Sequence, residues 1–172
     1  MNKVNSYKNR IFLLIGFMAS GKSFLGRKIA DKLKCDFVDL DEYLERVESC
    51  RIKDIILNKG EAYFRELETK HFENLINQAN KTLIIASGGG LPLKKDNRNL
   101  MKKVNVIYIE TGFDCILSRL TVEEKSKRPL LRNLDSEGIK KLYKERISIY
   151  DAVADYSARN FNEVLEYITN NK

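Results

Sequence analysis

The eight residues from Gly16 to Ser23 read GFMASGKS, and they follow an apolar run at residues 11–15. Residues 24–33 have the apolar spacing of a helix, so the segment joins a predicted strand to a predicted helix. Its glycines suit a backbone that curls around an anion, because side chains would obstruct the inward-pointing N–H groups. An ordinary strand-to-helix turn has no need of Lys22 and Ser23 directly after the second glycine. The pattern is typical of a phosphate-binding loop, or P-loop, and we expect a polyphosphate ligand.

The P-loop belongs to a longer alternation of short, apolar, β-rich runs with helical segments. This alternation predicts an α/β fold in which a parallel sheet carries helices on both faces. Predicted strands cover residues 11–15, 37–40, 83–86 and 104–109, with a weaker fifth strand near Tyr156. Predicted helices cover residues 22–33, 41–47, 52–58, 62–78, 94–102, 113–120, 136–152 and 162–168.

Length and composition favour one globular domain over residues 1–172, with 43% hydrophobic and 32% charged residues. No apolar run approaches the roughly 20 residues that span a bilayer, and residues 1–10 lack the apolar core of a signal peptide. We therefore expect a cytoplasmic protein with no membrane partner, and we expect it to be a monomer.

The net charge of +7 comes from lysines and arginines that are spread along the whole chain. Without a basic stripe interleaved with aromatic residues, a surface that attracts small anions is favoured over a nucleic-acid partner. Cys35, Cys50 and Cys115 lack the spacing of a disulfide framework or a zinc site, so we expect buried, reduced thiols. His71, the single histidine, is expected on the surface of a helix.

Two acids, Asp39 and Asp41, occur as Asp-Leu-Asp at the end of the second predicted strand. The two-residue period of a strand would aim both carboxylates the same way. Asp39 suits Mg²⁺ binding, whereas Asp41 could accept a proton from a substrate hydroxyl or hold that hydroxyl in line. Alternatively, Asp41 only caps the helix that begins at Glu42.

Arg65 and Glu68 lie three residues apart in the helix that follows Gly60. They form either a surface ion pair worth about a few tenths of a kcal/mol, or a pair in which Glu68 fixes the guanidinium so that it can bind a carboxylate. Spacing alone favours the surface pair.

A run of three glycines, Gly88, Gly89 and Gly90, follows Ser87 and the third predicted strand. Successive glycines indicate a close approach of the backbone to a ligand, with a flexible turn as the alternative. Thr111 and Gly112 stand at the corresponding place after the fourth strand. Because an open parallel sheet binds ligands at the carboxyl ends of its strands, we expect one crevice along that edge.

The segment at residues 121–135 is dense in charge, interrupted by Pro129 and without helical periodicity. In a chain with a P-loop, so long a loop predicts a lid that closes over a nucleotide, with a plain surface loop as the alternative. Arg128 in this loop and Arg146 in the helix after it are candidates for contact with an anion.

The segments GFMASGKS, DLDEYLE, GEAYFRELE, SGGGLP, RPLL and KERISIYDAVA stand in the order and approximate spacing of the shikimate kinase family, and the chain resembles that family from about residue 10 to residue 159. The resemblance implies the P-loop fold of nucleoside monophosphate kinases: a five-stranded parallel sheet in the order 2-3-1-4-5 with helices on both faces. It also implies a substrate-binding region at about residues 40–68 and a lid at about residues 120–135. The implied reaction transfers the γ-phosphoryl group of ATP, with Mg²⁺, to the 3-hydroxyl of shikimate, on the route to chorismate and aromatic amino acids.

The same resemblance implies roles for particular residues of this chain. Lys22, Asp41 and Arg128 would be catalytic, and Ser23 and Asp39 would hold the metal. Nucleotide binding would fall to Gly16, Ala19, Ser20, Gly21, Lys22, Ser23, Phe24, Arg119, Arg128 and Arg159. The acceptor would contact Asp41, Phe64, Arg65, Gly88, Gly89, Gly90 and Arg146.

Two alternatives remain beside a shikimate kinase. One is another small-molecule kinase of the same fold, such as a gluconate kinase, against which Asp41, Arg65 and the glycine run speak. The other is a nucleotide-dependent binding or regulatory module without catalysis. Lys22, Ser23, Asp41 and Arg128 together make a loss of catalysis unexpected.

Overall fold

The computed structural model describes residues 10–121 and 134–172. At its centre lies a five-stranded parallel sheet in the order β2-β3-β1-β4-β5. The strands are β1 (Ile11–Ile15), β2 (Asp36–Asp39), β3 (Leu83–Ala86), β4 (Asn105–Ile109) and β5 (Tyr156–Ala158). The predicted fold class and strand order are confirmed.

Helices alternate with these strands as the sequence predicts. They are α1 (Lys22–Leu33), α2 (Leu40–Glu48), α3 (Ile52–Gln78), α4 (Lys95–Met101), α5 (Phe113–Arg119), α6 (Ser136–Val153) and α7 (Phe161–Asn171), with a 3₁₀ turn at Leu91–Leu93. Gly60 interrupts α3 with a φ of 86° and a ψ of 162°, a conformation that suits glycine. The two helices predicted on either side of Gly60 are therefore confirmed as the two halves of α3.

The sheet buries a separate apolar layer on each face because successive side chains of a strand point in opposite directions. Ile11, Leu13 and Ile15 of β1 pack into one layer, together with side chains of α3 and α6. Phe12 and Leu14 pack into the other layer, which α1 and α7 cover. The result is the expected three-layer arrangement of helices, sheet and helices.

A third apolar cluster lies outside the sheet, between α2 and α3. Its buried members are Leu44, Ile55, Phe64 and Leu67. This cluster joins the two helices that carry Asp41 and Arg65, so their relative position depends on packing beyond the sheet. Within the part of the chain that the structure describes, no helix is both long and apolar enough to cross a bilayer.

Two expectations about single residues are wrong. His71 is buried in α3, not on its surface, and its Nε2 lies 2.8 Å from Oε1 of Glu48 at the end of α2. The imidazole faces α2 because it lies on the packed side of α3, where the ring of Tyr43 meets it edge-on with centroids 5.7 Å apart. The three cysteines are free but not buried: Cys35 and Cys50 are partly exposed, and Cys115 is exposed.

The contact between His71 and Glu48 predicts a measurable contribution to stability. Glu48→Ala removes the acceptor for a buried imidazole N–H, so we expect the free energy of unfolding to fall by about 1–3 kcal/mol. The control is Glu42→Ala, which breaks the exposed ion pair of Arg27 and Glu42 and should cost less than about 1 kcal/mol. Chemical denaturation measures both variants. Equal losses would show that the buried contact contributes no more than a surface ion pair.

Candidate active site

The P-loop adopts the curled backbone that its glycines predict. Gly16 has a φ of 146° and Gly21 a φ of 94°, and Ala19 also has a positive φ of 60°. A Cβ at Gly16 would lie 2.9 Å from the carbonyl oxygen of Ile109, so the loop also needs glycine there for its packing against β4. The loop ends at the N-terminus of α1, where the positive end of the helix dipole favours an anion.

Lys22 lies inside the curl of this loop. Its ammonium group donates to the carbonyl oxygens of Gly16 at 3.0 Å and Phe17 at 2.8 Å, and to the Ser20 hydroxyl at 3.3 Å. The side chain is buried, so the loop holds a positive charge at its centre. That charge suits the binding of phosphate oxygens.

Asp39, the last residue of β2, makes two contacts that connect the loop to α2. Its Oδ1 accepts from the backbone N–H groups of Asp41 at 3.1 Å and Glu42 at 3.3 Å, so Asp39 is the N-terminal cap of α2. Its Oδ2 accepts a hydrogen bond from the Ser23 hydroxyl. The hypothesis that Asp41 caps this helix is therefore wrong, because α2 begins at Leu40, earlier than the sequence pattern predicts.

Asp41 lies in the first turn of α2, so the strand period invoked from the sequence does not set its direction. Its carboxylate points at the turn after β3, where a Cβ on Gly88 would lie 2.8 Å from Oδ1. Burial raises the pKa of Asp41 to about 6, and the nearby charge of Asp39 adds to this, while Lys22 and Arg65 oppose it. A carboxyl group with this pKa can exchange a proton near neutral pH.

The glycine run is a close backbone approach, though its nearest neighbours are protein side chains. Gly88 lies against Asp41, and a Cβ on Gly90 would lie 2.5 Å from the guanidinium of Arg65. Gly89 lies between the P-loop and α6, because its Cβ would be 3.4 Å from both Met18 N and the Tyr150 hydroxyl. Glycine is needed here because larger residues would displace the two charged groups.

Arg65 and Glu68 form a largely buried ion pair, so the surface pair that spacing favoured is wrong. The Nη1 of Arg65 lies 2.9 Å from Oε2 of Glu68, and the side chains are only 16% and 1% exposed. Glu61 binds the other end of the guanidinium at 3.0 Å, from a side chain that is half exposed. The spacing of Arg65 and Glu68 in the sequence could not show that the pair is buried. The pair is buried because this face of α3 forms part of the cavity wall.

Burial raises the pKa of Glu68 to about 7, although Arg65 opposes the shift. The second oxygen of the carboxylate, Oε1, is buried and has no hydrogen-bond partner among the described residues. A carboxyl group in this setting holds its proton more tightly in the folded protein than in the unfolded chain.

Arg146 reaches the same region from α6. Its Nη1 is buried and makes no hydrogen bond within the described part of the chain. A guanidinium nitrogen without a partner is suited to bind an anionic ligand. Together with Lys22, Asp41, Arg65 and the glycine run, Arg146 lines the larger of two neighbouring cavities, with a volume of about 1170 Å³.

The smaller cavity, of about 820 Å³, lies on the other side of the P-loop. Ala19, Ser20, Gly21 and Phe24 line it together with Arg119, Arg159, Thr111 and Gly112. Arg119 donates to the Ala19 carbonyl oxygen at 3.1 Å, and Arg159 pairs with Glu110 at 2.8 Å on the surface. This cavity is therefore lined by six of the ten residues expected to bind a nucleotide: Ala19, Ser20, Gly21, Phe24, Arg119 and Arg159. Lys22 and Ser23 line the larger cavity instead.

Part of the predicted site lies outside the described residues, and the larger cavity has lining residues that the sequence analysis did not assign to it. Arg128 and most of the predicted lid fall at residues 122–133, outside the described residues. Phe64 is buried, with the Arg65 guanidinium 4.9 Å from its ring centroid, and it also lines the larger cavity. Tyr150 and Glu68 line that cavity as well. Tyr150 went unpredicted because a tyrosine on the apolar face of a helix is hard to distinguish from ordinary core.

The protonation of Glu68 predicts how stability changes with pH. Because the pKa rises from 4.5 to about 7 on folding, the stabilising contribution of the protonated group is complete below pH 4.5 and is lost as pH rises through about 7. Glu68→Gln abolishes this loss, so the variant should become more stable relative to the parent protein as pH rises. Denaturation at several pH values measures the difference, with Glu61→Gln as the half-exposed control. A difference that stays constant with pH would contradict a raised pKa for this buried carboxyl group.

Three comparisons relate this site to known proteins. The family model described as shikimate kinase matches residues 18–171. A shikimate kinase of Sulfurihydrogenibium is 44% identical over 138 residues, which are 80% of each chain. One from Dictyoglomus turgidum is 36% identical over 157 residues, which are 90% of each.

Solved structures agree with the sequence comparisons. A shikimate kinase of Acinetobacter baumannii in complex with shikimate superposes with a TM-score of 0.86 at 29% identity, covering 98% of both chains. A shikimate kinase of Aquifex aeolicus gives a TM-score of 0.77 at 34% identity, covering 94% of this chain and 95% of the other. The P-loop, the paired acids and the buried arginines therefore stand in a matching fold, and the chain belongs to the shikimate kinase family.

Proposed function

We propose that this chain transfers the γ-phosphoryl group of ATP to the 3-hydroxyl of shikimate, giving ADP and shikimate 3-phosphate. The observation that carries the proposal is the larger cavity itself. One wall is a P-loop with a buried lysine, and the other carries the partly buried carboxyl group of Asp41 and two partly buried guanidinium groups. Such a cavity suits a phosphoryl donor on one side and an anionic alcohol on the other.

The donor side rests on the P-loop. Lys22 would exchange its bonds to loop carbonyl groups for bonds to the phosphate oxygens, where it stabilises the charge of the transition state. Gly16, Ala19 and Gly21 would offer backbone N–H groups, whereas the Ser20 N–H donates to the Phe17 carbonyl oxygen at 3.2 Å. The nucleoside would extend into the smaller cavity beside Phe24, Arg119 and Arg159. Arg128 is proposed, from the resemblance alone, to reach the transferring group.

In the proposed reaction one bond to the γ-phosphorus forms, another breaks, and one proton is transferred. The hydroxyl oxygen of the acceptor forms a bond to the γ-phosphorus, and the bond between that phosphorus and the bridging oxygen of ADP breaks. The hydroxyl proton passes to the carboxylate of Asp41, whose pKa of about 6 suits this role near neutral pH. The electron pair of the broken bond leaves with ADP.

Ser23 and Asp39 fit a Mg²⁺ site beside the P-loop. Their hydroxyl and carboxylate oxygens are in contact, and hard oxygen ligands of this kind, completed by phosphate oxygens, are what Mg²⁺ prefers. The ion, when bound, would neutralise charge on the phosphates. Asp39 would meanwhile keep its second oxygen on the N-terminus of α2.

The acceptor side would bind the shikimate carboxylate between Arg65 and Arg146. Glu68 and Glu61 hold the guanidinium of Arg65 at two points, so its orientation is set before the ligand arrives. Arg146 contributes a buried nitrogen with no bond among the described residues. The glycine run and Phe64 would border the ring of the acceptor.

Two other functions are tested by the same assay. A gluconate kinase would need a different arrangement around a linear acid, and a regulatory module would bind nucleotide without turnover. We also propose a monomer as the acting unit. The experiment compares turnover of shikimate, gluconate and nucleoside monophosphates with ATP and Mg²⁺. We expect shikimate to be preferred, and faster turnover of either rival, or ATP binding without any turnover, would contradict the proposal.

Lys22→Ala tests the donor side. We expect kcat to fall by about a hundredfold or more, because the charge that stabilises the transferring group is lost. Lys28→Ala, on the exposed side of the same helix, is the matched control and should retain nearly full activity. Steady-state kinetics with ATP and shikimate measures both. An equal drop in kcat in the two variants would contradict the proposal that Lys22 stabilises the transferring group.

Asp41→Asn tests proton acceptance. We expect kcat to fall by about 10²–10⁴-fold, the range for a general base. In the parent protein the rate should decline as pH drops below about 6, where Asp41 takes up a proton, and this decline should vanish in the variant. The same pH profile measured for Glu68→Gln shows whether the decline in rate comes from Asp41 or from Glu68. Undiminished turnover in Asp41→Asn would show that the carboxylate is not the base.

A further inference from the structure

Helix α6 presents three polar groups along one face: Tyr143, Arg146 and Tyr150. Residues spaced in this way, three and four apart, lie one above the other on a helix. Both tyrosine hydroxyls donate to backbone carbonyl groups of other segments, Tyr143 to Thr111 at 2.9 Å and Tyr150 to Gly89 at 2.7 Å. Arg146, whose Nη1 is buried without a partner in the described chain, lies between the two bonds.

The Tyr150 hydroxyl makes a hydrogen bond within an otherwise apolar layer. The side chain is only 1% exposed, and its ring lies 5.3 Å from that of Tyr108. Burial raises the pKa of the phenol further above its ordinary value, so it stays a proton donor throughout the physiological range. Phenylalanine would fill almost the same space, so what the hydroxyl adds is the bond to Gly89.

Gly89 is the centre of the segment on which the acceptor side of the larger cavity rests. Its neighbours Gly88 and Gly90 lie against Asp41 and Arg65. A bond from Tyr150 to the Gly89 carbonyl oxygen therefore connects α6, and with it Arg146, to the backbone that borders both other charged groups.

Tyr143 makes the corresponding connection at the smaller cavity. Its acceptor is the carbonyl oxygen of Thr111, a lining residue of that cavity. The Thr111 hydroxyl in turn donates to the carbonyl oxygen of Ser20, in the P-loop, at 3.2 Å. The ring of Tyr143 also meets Phe17 edge-on, with centroids 5.4 Å apart.

We propose that Tyr143 and Tyr150 are positioning residues, whose two hydroxyl-to-carbonyl bonds fix α6 across both cavities and set the reach of Arg146. Tyr150 governs acceptor binding through Arg146 and the glycine run, and Tyr143 governs nucleotide binding through Thr111 and the P-loop. This inference rests on the proposed function. It assigns to each hydroxyl a separate effect that ordinary core packing would not produce.

The test is a pair of matched substitutions that remove only a hydroxyl, Tyr150→Phe and Tyr143→Phe. Loss of one net hydrogen bond in positioning should raise the affected KM by about three- to tenfold. We expect Tyr150→Phe to raise the KM for shikimate and leave that for ATP within about twofold, and Tyr143→Phe to do the reverse. Tyr167→Phe, in the apolar layer on the other face of the sheet, is the control and should change neither.

A double-mutant cycle tests whether Tyr150 acts through Arg146. In the Arg146→Ala background, Tyr150→Phe should raise the KM for shikimate by a smaller factor than in the parent protein, because only the route through the glycine run remains. A full, multiplicative effect in that background would overturn this route. Thermal denaturation of every variant shows whether each one is folded, and Tyr143→Phe tests the proposal even if Tyr150→Phe is too unstable to assay.

The outcomes separate this inference from the function on which it rests. No turnover of shikimate by the parent protein would contradict the proposed function, and the inference with it. In an active parent protein, unchanged KM values in both variants, or equal increases for both substrates, would overturn the positioning role alone. A higher KM for shikimate alone in Tyr150→Phe, together with a higher KM for ATP alone in Tyr143→Phe, would support it.

Discussion

The charged groups of this site can come close together because they lie against glycine residues, which have no side chain. Asp41 comes from α2 and Arg65 from α3, and each lies against a glycine in the turn after β3, where a Cβ would approach to 2.8 and 2.5 Å. Both charged groups are largely withdrawn from water, which would be unfavourable for either alone. Their neighbours offset the cost: Lys22 and Arg65 for Asp41, and Glu68 and Glu61 for Arg65. The site is thus a buried network in which each charge depends on the next.

The strand order explains why one P-loop serves two cavities. β1 lies between β3 and β4, so the loop at its carboxyl end is flanked by the glycine run on one side and by Thr111 and Gly112 on the other. A nucleotide can therefore lie beside β4 with its phosphates directed toward the residues beside β3. Helix α6 crosses both regions and contacts each through a tyrosine hydroxyl. Donor and acceptor come together because the topology gives the loop two different neighbours.

The sequence predicted the features that are local in the chain. The P-loop, the strands and the break at Gly60 each depend on a few adjacent residues, and the structure confirms them. Features set by packing between distant segments were missed. Nothing in the spacing of Arg65 and Glu68 shows that their face of α3 is covered, and His71 is buried only because α2 lies across it. The start of α2 was placed too late, which gave the capping role to Asp41 in place of Asp39. Tyrosines three residues before and four residues after Arg146 were a usable signal, but apolar periodicity alone assigns such residues to the core.

We propose that the larger cavity holds the acceptor carboxylate between Arg65 and Arg146 and presents a hydroxyl to Asp41. A crystal structure of this protein with ADP and shikimate is the decisive test. We expect carboxylate oxygens within hydrogen-bond distance of both guanidinium groups, and the 3-hydroxyl within that distance of the Asp41 carboxylate, on the side that faces the P-loop. Shikimate bound with its carboxylate away from both arginines, or with its hydroxyls turned away from Asp41, would contradict it.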